Sequence, residues 1–490
     1  MPSASPIAAA SCGPSVFIRI RIRLAGDWRI FSKSSLPATL MLAGGVTLYA
    51  VESYIMATIA PSIVRDIGGL ALFSWVTSLF VAAAVLGSIF VAMRPRGIGL
   101  RSVYVIAALV FGVGSLIAAA APSMPVVLIG RAVQGLGTGA LAALGYAFIR
   151  FVYPEPLWPK ASTLYAAIWG VSTVIGPTLG GFFSSGHAWR YAFIVLVPLG
   201  LLMAFLAPRL LPEVEDDREQ EKTPVAQIGL LLAAVLMVSA AGAIETTGAK
   251  IALIAASVVA VAGMLFIEGR SPNRLLPSGA VSLSRPIARV YLTMLAMTVV
   301  LVSDVFIPYF LQTLHGVAPL ASGYLVALVA LGWTFAAFLS GSLTGRRAYA
   351  AIVIGALIEA AATACLAVFL AKDNPEGHML LIVPAAIGMF MMGFGIGLGW
   401  AHLVAMVLKL VADNEKDKAS AAIPTMSSLG GAFGAAFAGV IANGAGLVHP
   451  GGISGALSAA HWLYLLMALP GVLALGVSLT LPRRASDRTH

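Results

Sequence analysis

Three charged residues interrupt long apolar runs of this sequence, namely Glu52, Arg131 and Asp304. If those runs cross a bilayer, each charge costs about 2.5–3.5 kcal/mol on insertion scales, so such residues are candidates for handling protons, ions or polar cargo. At 1.5 Å rise per residue, all three lie roughly 7 Å from the centre of their runs, toward one side. The sequence therefore predicts one polar cavity that all three share.

Glu52 is the first candidate for binding both a proton and a cation. Helical spacing places Tyr49 and Met56 beside it. An aromatic ring and a thioether next to an acid suit a lipophilic cation. We expect Glu52 to exchange a proton for such a cation; the alternative is a purely structural ion pair with Arg131.

Arg131 shares a helix face with Gln134, Gly135 and Thr138. This polar stripe should face the protein interior, where Gln134 would line a substrate cavity together with Tyr49 and Met56. The alternative role for Arg131 is that of a fixed counter-ion that keeps the helices in register.

Two further acids lie in apolar runs of the second half of the chain. Asp304 could be a second proton or substrate site, or could be structurally paired. Glu359 is a weaker candidate, because Gly355 and Ala356 precede it at helical spacing, and small residues usually mark tight helix packing. An acid in that setting could simply bond a neighbouring helix.

The composition indicates that lipid surrounds these elements. The 490 residues are 59% hydrophobic and only 10% charged, with a mean hydropathy of +0.95, whereas soluble domains carry roughly 25% charged residues. The net charge of +10 does not indicate nucleic-acid binding, because the basic residues lie between the apolar runs. The expected partners are a lipid bilayer, a small-molecule substrate and protons, with no obligatory protein partner.

Apolar runs long enough to cross a bilayer recur fourteen times, since a spanning helix needs about 20 mainly apolar residues. The predicted spans are 36–62, 72–93, 101–121, 125–149, 161–184, 189–208, 225–244, 250–267, 287–312, 320–344, 349–371, 379–405, 419–446 and 460–482.

The distribution of basic residues supports an even number of spans. With the N-terminus in the cytoplasm, Arg65, Arg190, Lys250 and Lys372 fall outside and Arg131 lies within a span, which leaves 25 of the 30 Lys and Arg inside. Cytoplasmic loops of membrane proteins carry such an excess. Both termini are therefore predicted to be cytoplasmic, in a multi-pass protein of the inner or plasma membrane.

The predicted architecture is an all-α polytopic membrane protein with two six-helix bundles and two extra central helices. Its segments are a basic cytoplasmic arm (1–35), an N-terminal bundle (36–208), an acidic cytoplasmic loop (209–224), two inserted helices (225–267), a C-terminal bundle (287–482) and a cytoplasmic tail (483–490).

The two bundles show signs of a shared plan. The first helix of each carries an acid in a similar local sequence, Glu52 in one and Asp304 in the other, and the fifth helix of each is rich in glycine. The loop after the second helix is basic in both. Duplicated halves around a central site are common in secondary transporters.

These motifs resemble those of the major facilitator superfamily. The run from Gly130 to Gly139 is similar to its fourth-helix motif, and the run from Gly170 through Gly176, Pro177, Gly180 and Gly181 looks like its fifth-helix antiporter motif. Glu52 to Pro61 is similar to the first-helix signature of drug:proton antiporters. Fourteen spans match the drug:proton antiporter branch with two extra central helices. The resemblance implies a secondary transporter driven by a proton gradient without a cofactor, with Arg131 in proton transfer.

One motif departs from the family pattern. The gating loop after the second span keeps Arg96, Gly99 and Arg101, but no acid occurs between Asp66 and Glu155. The salt bridge that an Asp makes there in relatives cannot form, so we expect the closed state to be stabilised otherwise.

The first prediction is a proton-coupled antiporter that exports lipophilic, cationic small molecules by alternating access. The alternatives are a transporter for a specific metabolite or siderophore-like compound in the same fold and, more distantly, a non-transporting receptor or a channel. An enzyme is not expected, because the sequence has no GxxxxGK[ST] or HExxH motif and no recognisable nucleophile–base set or metal cluster.

Overall fold

The computed structural model describes residues 35–93, 98–154, 157–184, 188–213, 224–412 and 415–482. This part of the chain is helical and contains no strand. The N-terminal arm up to residue 34, most of the predicted acidic loop (214–223) and the predicted tail (483–490) lie outside the described residues.

Fourteen long helices follow one another in the described ranges, and we number them α1 to α14. They are α1 Leu36–Ile67, α2 Trp75–Met93, α3 Leu100–Ala119, α4 Met124–Val152, α5 Trp158–Phe182, α6 Trp189–Leu210, α7 Val225–Ala243, α8 Thr247–Arg270, α9 Pro286–Leu314, α10 Pro319–Ser340, α11 Gly345–Phe369, α12 Met379–Leu410, α13 Lys416–Gly444 and α14 Gly452–Ser478. Of these, α6 is interrupted at Val195, and α9 contains the 3₁₀ turn Val302–Phe306.

Thirteen of these helices, all but α5, are long and apolar enough to cross a membrane. The described part of α5 contributes the shorter apolar stretch Ala167–Phe182. The predicted all-α, fourteen-helix fold is thereby confirmed. The last span was misplaced, because α14 begins at Gly452 rather than near residue 460, directly after Gly451, whose positive φ of 70° ends the preceding loop.

The helix packing repeats after eight helices. In the first half α4 packs against α2 and α3, α1 against α5, and α3 against α6; in the second half α12 packs against α10 and α11, α9 against α13, and α11 against α14. The two most extensive contacts between halves, α5 with α10 and α13 with α2, obey the same rule. The packing therefore has the two-fold character of duplicated transporters, while the exact domain boundaries stay a prediction.

Matching glycines fix the residue-level correspondence of the fourth helices. An added Cβ at Gly135 or Gly139 would overlap the α2 backbone at Phe80 or Ala84. The equivalent glycines of α12 are Gly393 and Gly397, where an added Cβ would overlap the α10 backbone at Val329 and Trp333 respectively. The Gly-x-Gly-x-Gly run of α4 is thus equivalent to that of α12, and each lets two helix backbones touch.

The fifth helices give the correspondence of the first helices. On α5, Gly176 packs on Val51 and Tyr54 of α1; on α13, Gly430 packs on Leu295 and Thr298 of α9. Val51 is therefore equivalent to Leu295.

This correspondence corrects the expectation that Glu52 and Asp304 are matching acids. The equivalent of Glu52 is Ala296, and Asp304 lies eight residues further along α9, two helical turns away. The similar local sequences around the two acids do not lie at equivalent positions, because helix packing and not the short motif defines equivalence.

The halves are joined at the end of the molecule where α1 and α5 finish and α2 and α10 begin. There Thr178 on α5 and Tyr324 on α10 share a 2.6 Å hydrogen bond, and the Gln312 amide on α9 donates at 3.5 Å to the Thr58 carbonyl of α1. The ring of Phe73 lies 5.0 Å from that of Phe306. We call this region the joined end.

The inserted helix α7 packs across both halves, against α2 and α13. The Trp75 indole donates to the Ser239 carbonyl of α7 at 2.8 Å. Asn443 of α13 donates to the carbonyls of Gly242 and Ala71, both at 2.8 Å. By contrast α8 is mostly exposed, and only 22% of its most apolar stretch is buried, so α7 is the inserted helix that contacts the transporter core.

Candidate functional site

Glu52 and Arg131 form a buried ion pair between α1 and α4. The two side chains are 1% and 2% exposed. Tight packing allows this contact, because α4 carries glycines at the surfaces that touch α2 and α3. The structure thus brings together two of the three charges singled out in the sequence.

The Arg131 guanidinium is held from several sides. Its Nε donates to the Val76 carbonyl at 3.2 Å, and its Nη1, which also binds Glu52, donates to Gln134 Oε1 at 2.9 Å. The ring of Phe80 lies 4.0 Å below the guanidinium carbon. Arg131 is therefore fixed in place whether or not the carboxylate is charged.

A hydrogen-bonded chain continues from the ion pair into α3. The Gln134 amide donates to Ser115 Oγ at 2.9 Å, and the Ser115 hydroxyl donates to the Phe111 carbonyl at 2.9 Å. The predicted polar stripe of α4 does face the protein interior. Gln134 itself is fully buried within this hydrogen-bonded chain, so its side chain lines no open cavity in this conformation.

One oxygen of Glu52 is left over. Oε1 binds Arg131, whereas Oε2 is buried and has no hydrogen-bond partner among the described residues. A buried carboxylate oxygen without a donor is costly. It is the natural place for a proton or for a cation that enters the site.

Aromatic rings surround the α1 side of the pair. Tyr49 lies 5.8 Å from Phe80 and 5.5 Å from Trp169, and Tyr54 lies 6.4 Å from Trp169, measured between ring centroids. Sequence reasoning missed Trp169 and Tyr54; the position of Trp169, directly before the first glycine of the fifth-helix motif, was the only available signal. Met56, predicted beside Glu52, is buried at 3% exposure.

Asp304 lies apart from the ion pair, in the 3₁₀ turn of α9, and is half-buried. The Tyr464 hydroxyl of α14 donates to the carbonyl of the neighbouring residue Ser303 at 3.4 Å. The structure thus pairs two of the three charges with each other, and the expectation of one cavity shared by all three stays a prediction.

Glu359 is completely buried in α11, and neither carboxylate oxygen has a hydrogen-bond partner within the described ranges. The structure therefore does not support the alternative that this acid bonds a neighbouring helix.

The glycines of the fifth-helix motif have different neighbours. Gly176 and Gly180 pack on α1, whereas Gly181 packs on Leu320 of α10. Pro177 meets Gly323 of α10. An added Cβ at Gly170 would contact nothing within 4 Å, so the motif joins α5 both to its own half and to the other half.

The predicted gating loop is only partly described, because Arg96 lies outside the described residues. Gly99 is the extended residue that precedes α3. Arg101 pairs with Glu213 at 2.6 Å and donates to the Pro208 carbonyl at 3.2 Å. Pro208 lies in the last turn of α6 and Glu213 in the segment after it, so Arg101 has an acid to bind within its own half although the loop lacks one.

Comparison with known proteins places this geometry in a family. The model of the Major Facilitator Superfamily matches residues 41–391 and 291–490. A "Probable multidrug-efflux transporter" of Mycobacterium tuberculosis is 37% identical over 92% of this chain and 96% of its own length. "Puromycin resistance protein pur8" of Streptomyces alboniger is 28% identical over 81% of this chain and 80% of its own length.

Solved structures agree on the fold. A D-xylose–proton symporter superposes with a TM-score of 0.63 at 16% identity, covering 94% of this chain and 100% of its own. A peptide transporter bound to sulfate gives 0.65 at 13% identity, covering 90% and 94%. The protein is thus a multi-pass membrane transporter and not an enzyme, and it belongs to the Major Facilitator Superfamily.

Proposed function

We propose that this protein exports lipophilic cationic drugs in exchange for protons, by alternating access. The observation that carries the proposal is the buried Glu52–Arg131 pair, which keeps one carboxylate oxygen without a donor. Support comes from the relatives, one named as a probable multidrug-efflux transporter at 37% identity. The proposed location of the protein is the plasma membrane, with both termini in the cytoplasm.

In this mechanism a proton and a drug cation compete for Glu52. When a proton binds the carboxylate, the attraction to Arg131 falls, while the Val76 carbonyl and Gln134 keep the guanidinium in place. When a cation enters, it neutralises the carboxylate and the proton leaves to the cytoplasm. Because only one of the two can neutralise Glu52, the two fluxes run in opposite directions.

The rings next to the pair suit the proposed cargo. Tyr49, Tyr54 and Trp169 form one aromatic cluster on the α1 side, and cations are attracted to the faces of such rings. We propose that Asp304, which lies in the 3₁₀ turn of α9, attracts the cation from the other half. Neither role needs a bound cofactor, because the proton gradient supplies the energy.

The pH difference supplies the energy for export. A one-for-one exchange of a proton for a monovalent cation moves no net charge, so the membrane potential does not drive it. Each pH unit then supplies about 1.4 kcal/mol and supports roughly a tenfold drug gradient.

The test uses everted membrane vesicles with an imposed pH gradient and the fluorescent cation ethidium. We expect the wild-type protein to accumulate ethidium and Glu52→Gln to lose this activity. Glu268→Gln is the matched control, because Glu268 is also buried but its two oxygens bind Leu276 N at 2.6 Å and Gln227 at 3.3 Å, away from the pair. Equal accumulation by Glu52→Gln and wild type would overturn the role of the pair.

A further inference from the structure

Glu359 is a buried acid that the mechanism above does not use. It lies in α11 with no exposed surface, and both carboxylate oxygens are enclosed without a hydrogen-bond partner in the described part of the chain. Burying such a group lowers the stability of the protein, so its presence calls for a functional explanation.

The neighbouring helices leave little room for a partner. An added Cβ at Gly395 of α12 would lie 2.6 Å from Glu359 N, and one at Gly471 of α14 would lie 2.9 Å from Ala360 Cβ. The Thr363 hydroxyl donates to the Glu359 carbonyl at 2.8 Å, so it does not serve the carboxylate.

Titratable side chains on the helices packed against α11 are directed elsewhere. On α14, His461 Nδ1 lies 3.2 Å from the Ala367 carbonyl, and the Tyr464 hydroxyl donates to the Ser303 carbonyl at 3.4 Å. On α12, His402 lies seven residues beyond Gly395, the glycine that packs on Glu359, and is therefore about two helical turns away. On α9, Asp304 lies in the 3₁₀ turn Val302–Phe306.

The first half shows that packing does not require an acid at this position. Gly137 of α4 packs against Phe111, with its added Cβ 2.5 Å from Phe111 N, just as its counterpart Gly395 packs against Glu359. Phe111 is therefore the equivalent of Glu359, and it is fully buried. An apolar side chain fills this position in the N-terminal half, so helix packing alone does not explain why the C-terminal half has a carboxyl group there.

The chemistry follows from the absence of a compensating charge. A carboxylate anion in this place would have neither a cation nor a donor, which is prohibitive in a low-dielectric interior. The group therefore stays neutral while α11 and α12 are packed, and it can release a proton only when these helices move and admit water.

We propose that Glu359 is a second proton-binding site, in the C-terminal half, which carries one proton per transport cycle in addition to the proton at Glu52. The only bond that forms and breaks is O–H: the carboxylate takes a proton from the outer side and releases it on the cytoplasmic side. This inference rests on the proposed proton–drug exchange.

The test measures the proton-to-drug ratio of the purified full-length protein in liposomes with tetraphenylphosphonium as the drug, at zero membrane potential. The measured quantity is the pH gradient that stops net movement against a fixed drug gradient. For Glu359→Gln we expect this gradient to about double, as for a change from two protons to one. Glu359→Asp should keep the wild-type value, and so should Glu268→Gln, the buried and fully bonded control.

A balancing pH gradient in Glu359→Gln equal to that of wild type would overturn the inference. Glu359→Leu gives the same readout if the Gln variant does not fold, because the equivalent position already holds Phe111. A purely structural role predicts that Glu359→Leu unfolds at a lower temperature, whereas we expect an equal or higher one. A wild-type protein that moves no drug in response to a pH gradient would instead overturn the proposed function.

Discussion

At the residue scale, the ion pair between Glu52 and Arg131 combines two charges that would each be costly alone. Both side chains are at most 2% exposed. Arg131 has several partners besides the acid, whereas Glu52 has one oxygen without any. The acid is therefore the member of the pair that can change its state, and the arginine is the member that stays in place.

The coupling of the two charges can be measured through stability. Glu52→Gln leaves Arg131 buried without its counter-ion, which should lower the free energy of unfolding by about 3–5 kcal/mol. Adding Arg131→Met should recover most of this loss, because Met389 is the equivalent residue in α12. Chemical denaturation in detergent measures both variants, and a double variant whose loss equals the sum of the single losses would contradict the pairing.

At the element scale, α5 is positioned by close contacts at some of its glycines and not at others. Gly176 touches α1 at Tyr54 and at the Val51 carbonyl, 3.0 Å from an added Cβ, whereas Gly170 has open space. The motif therefore contains both packing positions and a position that is free of contacts.

This difference predicts opposite effects of the same substitution. Gly176→Ala should push α5 away from α1 and lower the melting temperature, because backbone atoms cannot give way easily. Gly170→Ala should be neutral or stabilising by up to about 1 kcal/mol, since alanine favours helix. Melting curves of the two purified variants test this, and an equal loss in both would show that the contacts are not the cause.

The sequence predicts the helices well, because apolar length and the distribution of Lys and Arg depend on the bilayer alone. It also places Glu52 and Arg131 at one depth, where they do meet. It cannot predict that Ala296 and not Asp304 is the counterpart of Glu52, because equivalence depends on which residue Gly176 and Gly430 contact. For the same reason the lack of a partner for Glu359 is visible only in the packed structure.

At the scale of the whole molecule, the most extensive contacts between the two halves are those of α5 with α10 and of α13 with α2. The contact of α5 with α10 lies at the joined end. Gly181 lies so close to α10 that an added Cβ would be 2.7 Å from Leu320 Cβ. For drug to pass alternately to both sides, these contacts must separate in each cycle.

A cross-link at this contact tests that requirement. Gly181→Cys with Leu320→Cys, in a background without Cys12 and Cys365, should form a disulfide on oxidation. The two Cβ atoms would lie 2.7 Å apart, so a shift of about 1 Å brings them to the roughly 3.5–4.5 Å that suits a disulfide. Oxidation should stop export and reduction should restore it, while the single Gly181→Cys variant should not respond. Undiminished export by the cross-linked protein would mean that the joined end need not open.

The exchange of protons for drug is the central claim, and proton movement driven by a drug gradient tests it most directly. Purified protein is placed in liposomes that contain a pH-sensitive dye, and tetraphenylphosphonium is added on one side without any imposed pH gradient. We predict that the wild-type protein moves protons against the drug flux and that Glu52→Gln moves none. Drug movement through the wild-type protein with no change in internal pH would contradict the account.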